Sequence, residues 1–249
     1  MYCFFDFLDL FSMKKILFLV SALTILSCSE TADENTMIIE GNIEGLKKGK
    51  IYLQRYDDEK LINLDSVEAK GDGKFTFKRK LETPEVFYIY LDLDKKEGTD
   101  FGNRLRFFGE PTTIKINSKH EMFDIHAKIE GSESQKILEE YNKNIRKFSN
   151  RNLELLELQL NALKEQNQKK ADSINQLSEK NTLRRYLYTL NFAITHPNSY
   201  VSPYIALADA PDANVKFLDS IHGILSPEVA SSKYGKELKK HIEEIKKTN

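Results

Sequence analysis

The hydrophobic period of this chain changes once, at Gly131, and that change sets what it can fold into. From Met37 to Glu130 apolar residues recur at every second position, most clearly in Lys74-Phe75-Thr76-Phe77-Lys78 and Thr113-Ile114-Lys115-Ile116-Asn117. A period of two sends alternate side chains to opposite faces of a strand, one apolar and one wet. Strands are expected over 37–43, 50–55, 61–69, 74–79, 86–93, 104–109, 112–117 and 123–130. Turn-forming residues punctuate them at Gly45 to Gly49, Asp57-Asp58, Gly71-Asp72-Gly73, Pro84, 95–102 and Glu110-Pro111. Eight short strands spaced in this way predict an antiparallel β-sandwich or open barrel. No helical run interrupts them, which argues against a parallel βαβ sheet.

Beyond Gly131 the period is helical. Ser132-Glu133-Ser134-Gln135 reads as a capping box. Ile137, Tyr141, Ile145, Phe148, Leu155, Leu156, Leu160 and Leu163 then recur mostly at three- and four-residue steps, with Asn152 in one slot. A second arm over 174–195 carries Leu177, Leu183, Leu187 and Leu190 and stops before Pro197. The polar stretch between Lys164 and Asp172 turns the chain between them. This predicts a helical hairpin, either projecting or lying flat on the sandwich. Shorter helices follow, with Ser202-Pro203 and Ser226-Pro227 as starts, Asp212 capping 213–222 before Gly223, and a last helix over 232–247. The class is therefore α+β: a β-sandwich domain over 37–130 and an all-helical region over 131–249.

The first 36 residues read as an address. Met13-Lys14-Lys15 opens a basic start, and the apolar run from Ile16 to Leu26 follows. That run is well short of the roughly 20 residues a membrane-spanning helix needs, so a signal peptide over 13–27 is the better reading. Ile25-Leu26-Ser27-Cys28 resembles a bacterial lipobox, which implies lipid attachment at Cys28 by diacylglycerol, with palmitate-type acyl chains, and cleavage before it. Two or three acyl chains hold a protein durably at a membrane, where one does not. Residues 1–12 carry Asp6 and Asp9 and no base, unlike a positive n-region, and read as a misread upstream start. The acidic segment from Ser29 to Thr36 completes a tether over 28–36. Cleavage removes Cys3 and lipid consumes Cys28, so the mature chain is expected to lack a free thiol.

Charge excludes little and favours nothing basic. The 37 Lys and Arg nearly balance 38 Asp and Glu, and no concentrated basic surface for nucleic acid is expected. The five histidines (His120, His126, His196, His222 and His241) show no metal-binding spacing. His126, placed on the last strand, could share a divalent ion with His120, Glu121 and Asp124, but solvated or capping histidines are the favoured reading, and His196 is expected to help end a helix. Gly45-Leu46-Lys47-Lys48-Gly49-Lys50 lacks the gap and the Ser/Thr of a phosphate loop and leads into a strand. Asp92-Leu93-Asp94-Lys95-Lys96-Glu97-Gly98 puts a lysine in a calcium-ligand slot and reads as a solvated loop. Tyr88, Tyr90, Phe107 and Phe108 make either a ligand-stacking patch or, in better accord with burial preferences, core. The stripe from Leu155 to Leu163 binds a partner or packs within the molecule. No catalytic residue, cofactor or metal is assigned.

Ile39-Glu40-Gly41-Asn42-Ile43, Gly49-Lys50-Ile51-Tyr52-Leu53, Asp65-Ser66-Val67 and Gly73-Lys74-Phe75-Thr76-Phe77 together resemble the bacterial domain of unknown function 4369. That β-sandwich precedes a thioredoxin-like domain in many lipoprotein thiol–disulfide oxidoreductases of the TlpA and ResA type. Asn198-Ser199-Tyr200-Val201-Ser202-Pro203 and Leu225-Ser226-Pro227-Glu228, with Tyr234-Gly235-Lys236, resemble their helical connector. No Cys-x-x-Cys follows within the sequence, so the resemblance implies an accessory module without the enzyme. The expected function is that of a non-enzymatic lipoprotein, lipid-anchored to the outer membrane and facing the periplasm or the exterior. It would bind or scaffold an envelope protein partner, as an accessory to an envelope redox system. The alternatives are an envelope enzyme whose site forms only in three dimensions and a carbohydrate- or peptide-binding lipoprotein; a small-molecule ligand is not identified.

Overall fold

Eight strands form close to where the period of two places them: β1 (Thr36–Glu44), β2 (Lys50–Asp57), β3 (Lys60–Glu68), β4 (Lys74–Lys80), β5 (Glu85–Asp92), β6 (Arg104–Gly109), β7 (Thr113–Lys119) and β8 (Lys128–Glu130). The computed structural model describes residues 35–58, 60–93 and 102–248. The leader, Cys28 and most of the tether lie outside the described residues, as does the Asp92-to-Gly98 loop from Asp94 onward.

The strands make two four-stranded sheets, ordered β4-β1-β7-β8 and β3-β2-β5-β6. Ile39, Phe77 and Ile114 from the first face Leu53, Ile89 and Phe107 from the second in one core, each at most 1% exposed. Thr76, Lys78 and Lys115, between the inward residues, are exposed, as alternation requires. One pairing departs from the antiparallel expectation. β1 runs parallel to β7, from Ile38 opposite Thr113 to Glu44 opposite Lys119. A period of two states which face is apolar but not which way a neighbour runs, and no short turn joins these two strands.

The strand expected over 123–130 is shorter than its pattern. Only β8 pairs, while 121–125 form a turn with Met122 in the left-handed region (φ 49°). Phe123 is fully buried in the sandwich core, and its carbonyl accepts a hydrogen bond from Ser118 Oγ at 2.6 Å. Burying that ring draws the chain out of the sheet, which leaves His126 exposed in a bend and not on a strand.

Gly131 ends the sheet with φ 98°, where a Cβ would sit 2.1 Å from the Thr113 carbonyl oxygen. Six helices follow: α1 (Glu133–Lys164), α2 (Gln168–Thr195), α3 (Val201–Asp209), α4 (Val215–Ile224), α5 (Pro227–Ala230) and α6 (Lys233–Thr248). At 32 residues α1 is about 48 Å long. The turn to α2 is made by Gln166 (φ 56°) and by Asn167, whose side chain accepts from the Lys170 amide. That cap starts the second arm at Gln168, earlier than its apolar residues indicate. Ser226-Pro227 starts α5 as expected. Two other starts differ. Asn214, not Asp212, caps α4, which runs through Gly223. Ser202 lies inside α3, where its hydroxyl donates to the His196 carbonyl at 2.6 Å and ties α3 to the end of α2.

Part of the outer face of the second sheet, around Val86 and Phe108, is covered by these helices. Val86 on β5 and Phe108 on β6 join Leu138, Tyr141, Val201, Ile205, Tyr234 and Leu238 in a second apolar core. The hairpin of α1 and α2 rests on β6, α3 and α4 at its base, while its distal half has a separate small core of Leu155, Ala162, Ala171 and Ile174. The outer half therefore projects.

Candidate functional site

Where the helices meet the second sheet, the ladder leaves backbone groups that side chains must satisfy. β6 is an edge strand, and the Phe108 amide donates to Gln135 Oε1 at 2.9 Å. Ser132 Oγ accepts from the Gln135 amide at 3.0 Å, as a capping box requires, but the Gln135 side chain reaches across to the sheet. Glu110, just past β6, accepts from the Glu133 and Ser134 amides and from Ser134 Oγ, which places a carboxylate at the positive end of α1. On the other side β2 and β5 part company after the pair of Gln54 with Tyr88. Val86 lies beyond that point, and its amide donates to Tyr234 Oη on α6 at 3.0 Å.

The parting of β2 from β5 opens a cleft against the first turn of α6, with Lys233 at its centre. On one side lies a pocket of about 190 Å³ lined by Tyr56, Tyr88, Tyr204, Tyr234 and Glu237. Burial raises all three of the tyrosines Tyr88, Tyr204 and Tyr234 above the usual phenol range, so they stay protonated. Burial also raises the Glu237 carboxyl, against the nearby Lys233 charge and with the help of Glu85 and Asp58. On the other side lies a larger cavity of about 500 Å³, reached by Arg55, Arg79, Lys233, Lys236 and Glu85. The Glu85 side chain is 7% exposed and is held by Arg55 Nη1 at 2.9 Å and Lys233 Nζ at 2.6 Å. A carboxylate so buried is tolerable because both oxygens meet a cation. The Lys233 amide also donates to Thr83 Oγ1 at 3.3 Å. The cleft can bind a ligand through charge and hydrogen bonds; its acids, bases and phenols come from elements far apart in sequence, so no local motif marks it.

The residues singled out from sequence are scattered. Phe107 and Phe108 point to opposite faces of β6, into the sandwich core and the helical core, and Tyr88 is half-buried under the helices. Tyr90 is half-buried on the open part of the sheet, its ring 6.1 Å from Tyr52 with 27° between planes and Arg104 4.9 Å above it. His196 closes α2, with Nδ1 2.8 Å from the Phe192 carbonyl oxygen and its ring stacked on Phe192. His241 Nε2 lies 2.8 Å from the Pro211 carbonyl oxygen, and burial lowers His222, with Lys239 adding to the effect. Among the described residues no group of three or more His, Cys, Asp or Glu is arranged to hold a metal ion. Among the same residues no helix is long and apolar enough to cross a membrane. The leucine stripe divides: Leu155 is buried between α1 and α2, while Leu156, Leu160 and Leu163 are about half exposed.

Residues 37–138 match the family model described as Domain of unknown function (DUF4369). No curated protein and no solved structure matches the chain. The match runs past β8 to Leu138, so it takes in Gln135, which satisfies the β6 edge, and the first α1 side chain in the helical core.

Proposed function

We propose that this protein is a lipid-anchored lipoprotein of the bacterial outer membrane, held through acyl chains on Cys28, and that it is a non-catalytic binding or scaffolding module. Its partner is an envelope protein, within or beside a thiol–disulfide redox system. The observation that carries the scaffolding half is the projecting hairpin. Leu153, Leu156, Leu160 and Leu163 follow one another at steps of three and four along one edge of α1, each 46–65% exposed. Leucines repeated at that spacing form a seam that another helix can cover. The lipobox supports the anchored half.

Palmitate labelling with and without globomycin tests the anchor: label on the wild type and none on Cys28→Ala is expected, and an unlabelled wild type removes it. A photo-crosslinker at Leu156 or Leu160, in whole cells, should capture one defined envelope protein that a crosslinker at Lys78 on the sandwich does not. Turnover of a thiol or disulfide substrate by the purified protein would end the non-catalytic reading. A second reading, a carbohydrate- or peptide-binding lipoprotein, is favoured by the near-parallel Tyr52 and Tyr90 rings; saturable glycan or peptide binding abolished by Tyr52→Ala would support it.

A further inference from the structure

The larger cavity beside Lys233 has more positive charge than the molecule uses. Five cationic and three acidic side chains line it. Glu85 is already spent on Arg55 and Lys233, and Asp57 sits 3.8 Å from Arg55 Nη2. Arg79 on β4 and Lys236 in the first turn of α6 have no ion pair or side-chain hydrogen bond among the described residues. Arg55 Nε is a buried donor without an acceptor, and such a group destabilises the fold unless something accepts from it. The α6 N-terminus adds its partial positive charge on the same side. These groups come from β2, β4 and α6, so they converge only in the fold.

We propose that this cavity is a binding site for a phosphate-bearing ligand. Arg79 and Lys236, the two cations here without an ion pair among the described residues, supply charge of the sign and size that suit the roughly −2 of a phosphate monoester near neutral pH. Guanidinium forks such as Arg55 and Arg79 suit its tetrahedral oxygens, and Lys236 supplies a point charge at the rim. The phosphate belongs either to a soluble ester or to a lipid headgroup. β1 starts at the cavity's rim, with Thr36 opposite Lys80 and Met37 opposite Arg79. The site does not depend on the anchor proposed at Cys28.

The test is calorimetric titration of the full chain with glycerol 3-phosphate and with inorganic phosphate, beside sedimentation of the Cys28→Ser chain with phosphatidylcholine vesicles that contain or lack phosphatidic acid, a phosphate-monoester lipid. Saturable binding of the soluble phosphates is expected, weakened at least about tenfold in the Arg79→Gln/Lys236→Gln variant, as loss of charge-assisted contacts implies. Both replaced side chains are exposed, so the variant should keep its thermal midpoint, and Lys128→Gln on β8 should bind as the wild type does. Sedimentation only with the vesicles that contain phosphatidic acid, lost in the double variant, identifies a headgroup; phosphate binding without sedimentation identifies a soluble ester. Failure of every probe to bind, or equal binding by the double variant, overturns the site.

Discussion

The base and the tip of the helical hairpin are made from the same two helices and are held by different physics. At the base, Leu138 and Tyr141 are buried against Phe108, Phe192 and α3, and Tyr141 Oη is bonded to Thr189 Oγ1 and Asp209 Oδ2, both at 2.8 Å. Among the described residues, α1 and α2 have only each other at the tip. Four buried residues, two of them alanines, form the core there, and Asn181 donates to the Phe148 carbonyl and to Asn152 Oδ1 to fix the register. Leucines that would be core at the base stand in solvent at the tip. The base thus shares in the global stability of the sandwich, whereas the tip is expected to open locally at lower cost. An arm attached rigidly at one end and loosely packed at the other suits a surface that is completed by a partner.

The contrast can be broken by substitution. Phe108→Ala removes a fully buried ring from the joint of sheet and helices; it should cost about 3–5 kcal/mol, read as a lower denaturant midpoint for strands and helices together. Loss of the helical signal alone would show the two cores to be independent. Leu155→Ala should cost about 2–3 kcal/mol of packing, but chiefly at the tip. Hydrogen exchange should rise over 150–180 while the sandwich keeps its protection, and a matching rise in the sandwich would abolish the distinction. Gln135→Ala leaves the buried Phe108 amide without an acceptor, for about 1–3 kcal/mol, and should loosen β6 and the base before the tip.

The smallest effect is one of pH, and it belongs to the base. Glu237 on α6 has a folded-state pKa raised above its unfolded value, chiefly by burial. The folded state therefore holds the proton more tightly, so this group's contribution to stability falls as pH rises through the ordinary carboxyl range toward the raised value. Stability curves between pH 4 and 7 should show that slope, Glu237→Gln should flatten it, and exchange at the tip should not follow it. An unchanged slope in Glu237→Gln would assign it to another group.

Much of this molecule was legible in local pattern because local pattern is what backbone geometry imposes. Alternation fixed β4 and β7 to within a residue or two, and helical spacing with Ser132 as cap located α1. Other features have no local signal. A glutamine three residues after a capping serine looks like half of a box, and only the exposed β6 edge turns it outward to Phe108. The leucines of α1 all carry the same apolar side chain, and which ones α2 covers depends on a register set by Asn181 from the opposite helix. The phosphate cavity draws Arg55, Arg79 and Lys236 from segments whose sequence separation exceeds any motif.

By itself the sequence determined the α+β class, the boundary at Gly131, the positions of most strands and helices, and the match of 37–138 to its domain model. Those follow from period, turn chemistry and capping, which act over a few residues. Tertiary structure alone decided the parallel pairing of β1 with β7, the withdrawal of Phe123 from its strand into the core, the projection of the hairpin, and the charge assembled around Lys233. Each of these depends on which distant surface lies opposite, and that is settled by packing the whole chain at once.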